Sequence, residues 1–225
     1  MKSKFLTLAS IAAVLVFSGC KKDNYEAPTS TISGRIVNQG SPIGVRSDGV
    51  QLELWQPGFA FFNKLPVYVK WDGTFSVKTF DGNYKLTRLR GNGPWADNTD
   101  TINIELRGNA VVDVPVDPYF VIKGETFART ANTINATLNL QRINTTRALE
   151  EVRLYIGGTT ILDQVRNDRV VSKAANTINI AQPITISGDI PAAVAAKGYV
   201  YVRLGVKTVG VAELLYSQPQ LISLK

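Results

Sequence analysis

From Thr31 to Val116 the chain repeats one pattern, a short run of alternating apolar and polar residues followed by a turn. The runs lie at 31–37, 49–56, 65–70, 74–79, 83–89, 101–107 and 110–116. Period-two alternation puts one set of side chains on a core face and the other in solvent. Between the runs stand Asn38-Gln39-Gly40-Ser41-Pro42, Gln56-Pro57-Gly58, Asp72-Gly73, Asp81-Gly82-Asn83 and Arg107-Gly108-Asn109. Gly, Asn and Asp at such points supply the backbone conformations that reverse a chain. Short strands at this spacing predict a β-sandwich with Greek-key connections.

The second half is β as well, with runs at 120–126, 133–142, 151–156, 169–173, 177–187, 198–207 and 213–224. Residues 191–197, with four alanines, form the one stretch that reads as a short helix. Asp117-Pro118 marks the boundary, because the residue before a proline favours extended backbone. The expected fold class is all-β, with two β-sandwich domains over 31–118 and 119–225. The second is read as immunoglobulin-like.

Ahead of the strands, Lys2 and Lys4 precede an almost unbroken apolar run from Phe5 to Phe17, and Ser18-Gly19 then lead into Cys20, the only cysteine. This resembles a bacterial lipoprotein signal, which implies removal of 1–19 and lipid on Cys20, with 20–30 as a polar tether. Phe17 stands where such signals usually carry Leu. A transmembrane anchor would need roughly 20 apolar residues. An ordinary secretory signal would leave Cys20 as a lone thiol. Lys21-Lys22-Asp23, with Glu26 nearby, resembles the charged export signals of Bacteroidota lipoproteins, which implies the outer face of the outer membrane.

Histidine is absent from all 225 residues. That removes Ser-His-Asp and Cys-His nucleophile arrangements and the common zinc sites. The formal charge of +7 falls by two, to +5, when Lys2 and Lys4 leave with the signal. The surplus lies in the second half and is scattered over Arg129, Arg142, Arg147, Arg153, Arg166, Arg169 and Lys173. Nucleic-acid surfaces show clustered cations within a recognisable motif, so no nucleic-acid partner is expected.

The series Gly34-Arg35-Ile36-Val37, Pro42-Ile43-Gly44-Val45, Asp72-Gly73-Thr74-Phe75 and Gly82-Asn83-Tyr84-Lys85-Leu86 resembles the transthyretin-like, carboxypeptidase-regulatory-like sandwich. That module is an accessory without catalytic residues. Longer pieces resemble an uncharacterised family of Bacteroidota lipoproteins associated with polysaccharide-utilisation loci. They are Gly49-Val50-Gln51-Leu52-Glu53-Leu54-Trp55-Gln56, Val67-Tyr68-Val69-Lys70-Trp71-Asp72-Gly73, Gly91-Asn92-Gly93-Pro94-Trp95 and Asp113-Val114-Pro115-Val116-Asp117-Pro118-Tyr119-Phe120. The resemblance implies a cell-surface setting beside outer-membrane transporter proteins and supplies no established activity.

Three tryptophans carry the chemistry that the sequence offers. Alternation in Val50-Gln51-Leu52-Glu53-Leu54-Trp55 turns Trp55 outward beside Glu53. Trp71 opens the Asp72-Gly73 hairpin, and Trp95 stands in a loop with Asn92 and Asp97. An exposed aromatic ring can cover the apolar C–H face of a sugar while neighbouring amides and carboxylates bond its hydroxyls. Each ring could equally serve core or hairpin packing. Asp97-Asn98-Thr99-Asp100 lacks the spacing and glycine of a calcium loop and reads as a solvated turn. Nothing marks a carboxylate pair for glycoside hydrolysis. The expectation is a non-enzymatic lipoprotein accessory to polysaccharide binding or uptake, with no cofactor and no metal. It would contact glycan through Trp95, Asn92, Asp97, Trp71 and Trp55. The alternative is a spacer or docking module in a transporter complex.

Overall fold

A computed structural model describes residues 26–58 and 63–225. The signal segment 1–19, Cys20 and the first part of the tether lie outside the described residues. The described chain is all-β and forms two β-sandwiches.

The first sandwich contains β1 (Ser30–Asn38), β2 (Ser41–Pro42), β3 (Gln51–Trp55), β4 (Lys64–Tyr68), β5 (Thr74–Thr79), β6 (Gly82–Arg88), β7 (Ile102–Leu106) and β8 (Asn109–Pro115). In one sheet β1 pairs antiparallel with β2 and β5 and parallel with β8. The facing sheet has the order β4-β3-β6-β7 and is antiparallel throughout. Burial follows the alternation. Leu52 and Leu54 on β3 are 0% exposed, whereas Gln51, Glu53 and Trp55 between them are half-buried and turned outward. Ile32, Ile36, Val67, Phe75, Tyr84 and Leu86 fill the space between the sheets. Each large aliphatic or aromatic side chain buried this way contributes about 1.5–3 kcal/mol. Every predicted run of this half coincides with a strand, its ends shifted by at most two residues.

The second sandwich contains β9 (Phe120–Thr130), β10 (Thr133–Arg142), β11 (Leu149–Gly157), β12 (Arg169–Ala174), β13 (Ile184–Asp189), the short helix α1 (Ala192–Ala195), β14 (Tyr199–Thr208), β15 (Leu215–Tyr216) and β16 (Gln220–Ser223). A β13-β10-β9 sheet faces a β12-β11-β14 sheet, in which β14 also pairs with β15 and β16. Two expectations are corrected. The run at 177–187 becomes a strand only from Ile184, because local side-chain bonds win upstream. The Thr177 hydroxyl donates to the Ala174 carbonyl at 2.7 Å, and the Asn179 side chain accepts from Ala181 N at 3.0 Å. The run at 213–224 divides into β15 and β16 on either side of Pro219, which has no N–H to donate.

The sandwiches meet around Arg203. Its place on β14 faces away from the second core, toward solvent in an isolated domain, yet it is 0% exposed. Nε donates to Ser217 O at 2.8 Å and Nη1 to Leu162 O at 2.8 Å, while Nη2 reaches Val45 O at 3.1 Å and Trp71 O at 2.7 Å. Two of the four carbonyls come from each sandwich. The guanidinium also stands 4.4 Å from the Tyr216 ring centroid. Burial lowers its pKa to about 10, so the cation persists at neutral pH. Beside it, Arg46 forms a two-pronged ion pair with the buried Glu213, Nε to Oε2 at 3.0 Å. Tyr216 N donates to Gly44 O at 2.9 Å. A Cβ on Gly44 would lie 2.5 Å from the Tyr216 carbonyl oxygen, so the contact requires glycine.

This junction gives stability a pH dependence at the alkaline end. Burial pushes the phenols of Tyr216 and Tyr155 up, their rings lying 5.7 Å apart. A group whose pKa is raised by folding stabilises the fold below its unfolded pKa and loses that contribution as pH rises. Stability should therefore hold up to about pH 10 and fall above it. Urea melts at about pH 9 and about pH 11 should show the drop, and Tyr216→Phe should lessen it.

Candidate functional site

The sequence predicts that the loop 91–100 presents Trp95, Asn92 and Asp97 together. The structure corrects the exposure of Trp95, which is 5% exposed and packs in the first core. Its ring lies on Gly93, where a Cβ would come within 2.2 Å of it. Trp95 bridges to Pro118, Ala96 N donates to Asp117 O at 2.9 Å and Tyr119 N to Pro94 O at 3.3 Å. The loop is thus pinned to the chain that links the sandwiches. Asn92 is spent on backbone, accepting from Gln51 N at 2.6 Å and donating to Gly49 O at 3.0 Å. Asp97 accepts from Gly91 N at 2.7 Å and closes the loop on itself. The cavity here, lined by Trp95, Asp97, Tyr119 and Arg147, has a volume of about 60 Å³. That is room for about two waters and not for a sugar ring.

Trp71 is half-buried in the hairpin between β4 and β5. Its carbonyl accepts from Val45 N at 3.2 Å as well as from Arg203. Its backbone therefore belongs to the junction.

Trp55 lies elsewhere, on the outer face of the β4-β3-β6-β7 sheet. Register places four residues in one row across the strands: Lys64, Trp55, Lys85 and Asn103. The next outward row is Pro66, Glu53 and Thr87, and Tyr68 stands opposite Gln51 beyond it. Tyr68 is 48% exposed and Trp55 half-buried. They are four residues apart in register and one strand over, so about 14 Å separates them. Glu53 lies between, its side chain 16% exposed. One oxygen is ion-paired with Lys64, and the other accepts from Thr87 Oγ1 at 3.4 Å. This face therefore offers two aromatic surfaces separated by a carboxylate, a hydroxyl and an amide.

Alternation along β3 puts Gln51, Glu53 and Trp55 on this face, but it does not bring Tyr68, Lys85 and Thr87 onto the same surface. The signal for Tyr68 was present, since Val67 and Val69 turn inward and force Tyr68 out. What brings it beside β3 is strand register, which alternation does not set.

Residues 30–117 match the family described as "Protein of unknown function (DUF3823) N-terminal domain", and residues 120–221 match "Domain of unknown function (DUF3823_C)". No curated protein matches the chain. Among solved structures, a DUF3823 family protein from Bacteroides ovatus ATCC 8483 is 36% identical, with a TM-score of 0.82 over 87% of this chain and 100% of that one. Another, from Parabacteroides merdae ATCC 43184, is 32% identical, with a TM-score of 0.80 over 89% and 100%. A protein from Bacteroides uniformis ATCC 8492 described as a "putative carbohydrate binding protein" shares the fold at 20% identity, TM-score 0.68, over 88% and 100%. With both halves matched, the chain belongs to the DUF3823 family.

Proposed function

We propose that this protein is a non-enzymatic, lipid-anchored accessory to polysaccharide uptake that holds glycan on the outer face of the β4-β3-β6-β7 sheet. The carrying observation is the pair Trp55 and Tyr68 on one polar face, with Gln51, Glu53 and Thr87 between them. Aromatic surfaces cover the C–H faces of sugar rings, and a few fixed polar groups orient the hydroxyls. The spacing of about 14 Å suits a short run of linked sugars. The Bacteroides uniformis protein described as a "putative carbohydrate binding protein", which has the same fold, supports the reading.

The anchor rests on the apolar run before Cys20 and on the polar tether after it. The Ser30 hydroxyl bonds Asp81 at the pole of the first sandwich that also carries Gly82 and Gly108. A Cβ on Gly82 would meet the Gln56 side chain at 2.9 Å, so Trp55 is near that pole. Ten residues of tether span at most about 35 Å. A sandwich tethered at that pole can direct the line from Trp55 to Tyr68 outward from the membrane, toward the junction. An outer-membrane location beside a transporter fits that arrangement.

The chain produced without lipid, titrated calorimetrically with a glycan panel, tests the reading. Trp55→Ala and Tyr68→Ala should each weaken binding about tenfold, with the melting temperature nearly unchanged. No binding to any glycan, or binding indifferent to both variants, would sink it. Retrieval of a transporter without glycan would favour the docking role instead.

A further inference from the structure

We infer that the ligand of this sheet face is an anionic polysaccharide, one bearing carboxylate or sulfate groups along its length. The inference rests on the proposed glycan-binding role and adds the ligand's charge. Its basis is an unequal distribution of partners among the charged groups around the two aromatic residues.

Lys85 stands directly opposite Trp55 across one strand spacing, about 4.8 Å. Lys70 follows Tyr68 by two residues on the same side, since Val69 between them is 0% exposed and turned inward. Both lysines are exposed, and neither forms an ion pair among the described residues. The acidic side chains near them each have another partner: Asp48, whose N–H donates to Val69 O at 3.2 Å, accepts from the Ser47 hydroxyl at 3.5 Å. Glu53 is held by Lys64 and Thr87, and Glu105, opposite Asn83, is paired with Arg107 at 2.6 Å. Asp72, in the hairpin after Lys70, accepts from Thr74 N at 3.0 Å and from the Thr74 hydroxyl at 2.7 Å.

Each aromatic surface thus has one uncommitted cation beside it, and the carboxylate between the two is neutralised in place. A neutral glycan would use the rings and the amides and leave both ammonium groups idle. A polyuronate or a sulfated glycan lying from Trp55 to Tyr68 would bring an anion to each. Exposed pairs of this kind are individually weak and fade with salt. Their signature is therefore a salt-sensitive preference for charged over neutral ligand, rather than binding itself.

The experiment compares a polyuronate, its carboxyl-reduced form and a sulfated glycan of similar length, with the wild-type chain and with Lys70→Gln/Lys85→Gln. The wild type should bind an anionic form about five- to tenfold more tightly than the reduced one, with the preference lost between about 0.1 M and about 1 M salt. The double variant should bind all forms as the wild type binds the reduced one. Which anionic form is preferred identifies carboxylate or sulfate. Equal wild-type affinity for reduced and anionic forms would overturn the inference and leave the glycan reading standing. A preference that survives in the double variant would overturn it too. Absence of binding to all three, together with failure across a wider panel, would overturn both.

Discussion

Replacing Arg203 with alanine is expected to split one cooperative unfolding transition into two and to lower the first midpoint by about 10 °C. Among the described residues, the guanidinium is the one buried side chain that reaches carbonyls of both sandwiches, at 2.7–3.1 Å. Removing it takes the donor from Val45 O, Leu162 O and Ser217 O in a space closed to water, while Trp71 O keeps only Val45 N at 3.2 Å. An unsatisfied buried polar group costs about 1–3 kcal/mol, and breaking a buried charged cluster costs about 3–5 kcal/mol. Relaxation at the junction lets water reach some of these carbonyls, so about 4 kcal/mol is the expected loss. Lysine keeps the charge but cannot present a planar fork to four acceptors, so Arg203→Lys should recover only part of it. Differential scanning calorimetry reads both the midpoint and the number of transitions. A single unshifted transition in Arg203→Ala would show that the remaining contacts, Arg46 with Glu213 and Gly44 with Tyr216, suffice.

The second large effect concerns Trp95. Truncation to alanine empties a well-packed position in the first core and should cost about 3–5 kcal/mol. The loss should extend to the linking chain, because Trp95, Ala96 and Pro94 together hold Asp117, Pro118 and Tyr119. Glycan affinity of the folded protein at low temperature should stay as in the wild type. Chemical denaturation and binding isotherms on the same preparation separate the two readouts. A stable Trp95→Ala variant that no longer binds glycan would return the binding role to the loop 91–100.

The contrast between Trp55 and Trp95 shows where sequence reading ends. Local alternation was enough to place Leu52 and Leu54 inside and Trp55 outside, because a strand's faces follow from its own residues. No such rule applied to Trp95, which lies in a loop. Its polar neighbours suggested solvent, yet those neighbours serve the backbone. Asn92 bonds Gln51 and Gly49, residues more than 40 positions away, and only the folded chain shows it. Arg203 was obscured for a related reason. Its side of β14 is the one turned from the core, and loop residues of its own sandwich together with Val45 and Trp71 of the other cover it. Tyr68 and Lys85 were each legible as outward residues. Their placement on one face with Trp55 is a matter of register between β3, β4 and β6.

Hydroxyl-radical footprinting of the lipid-free chain, with and without a glycan that it binds, tests most directly which surface holds the ligand. Trp55 and Tyr68 should be oxidised in the free protein and protected in the complex, while Trp95 reacts little in either state. Protection confined to the loop 91–100, or none at Trp55 and Tyr68 under saturating glycan, would contradict the assignment of the ligand to the β4-β3-β6-β7 face.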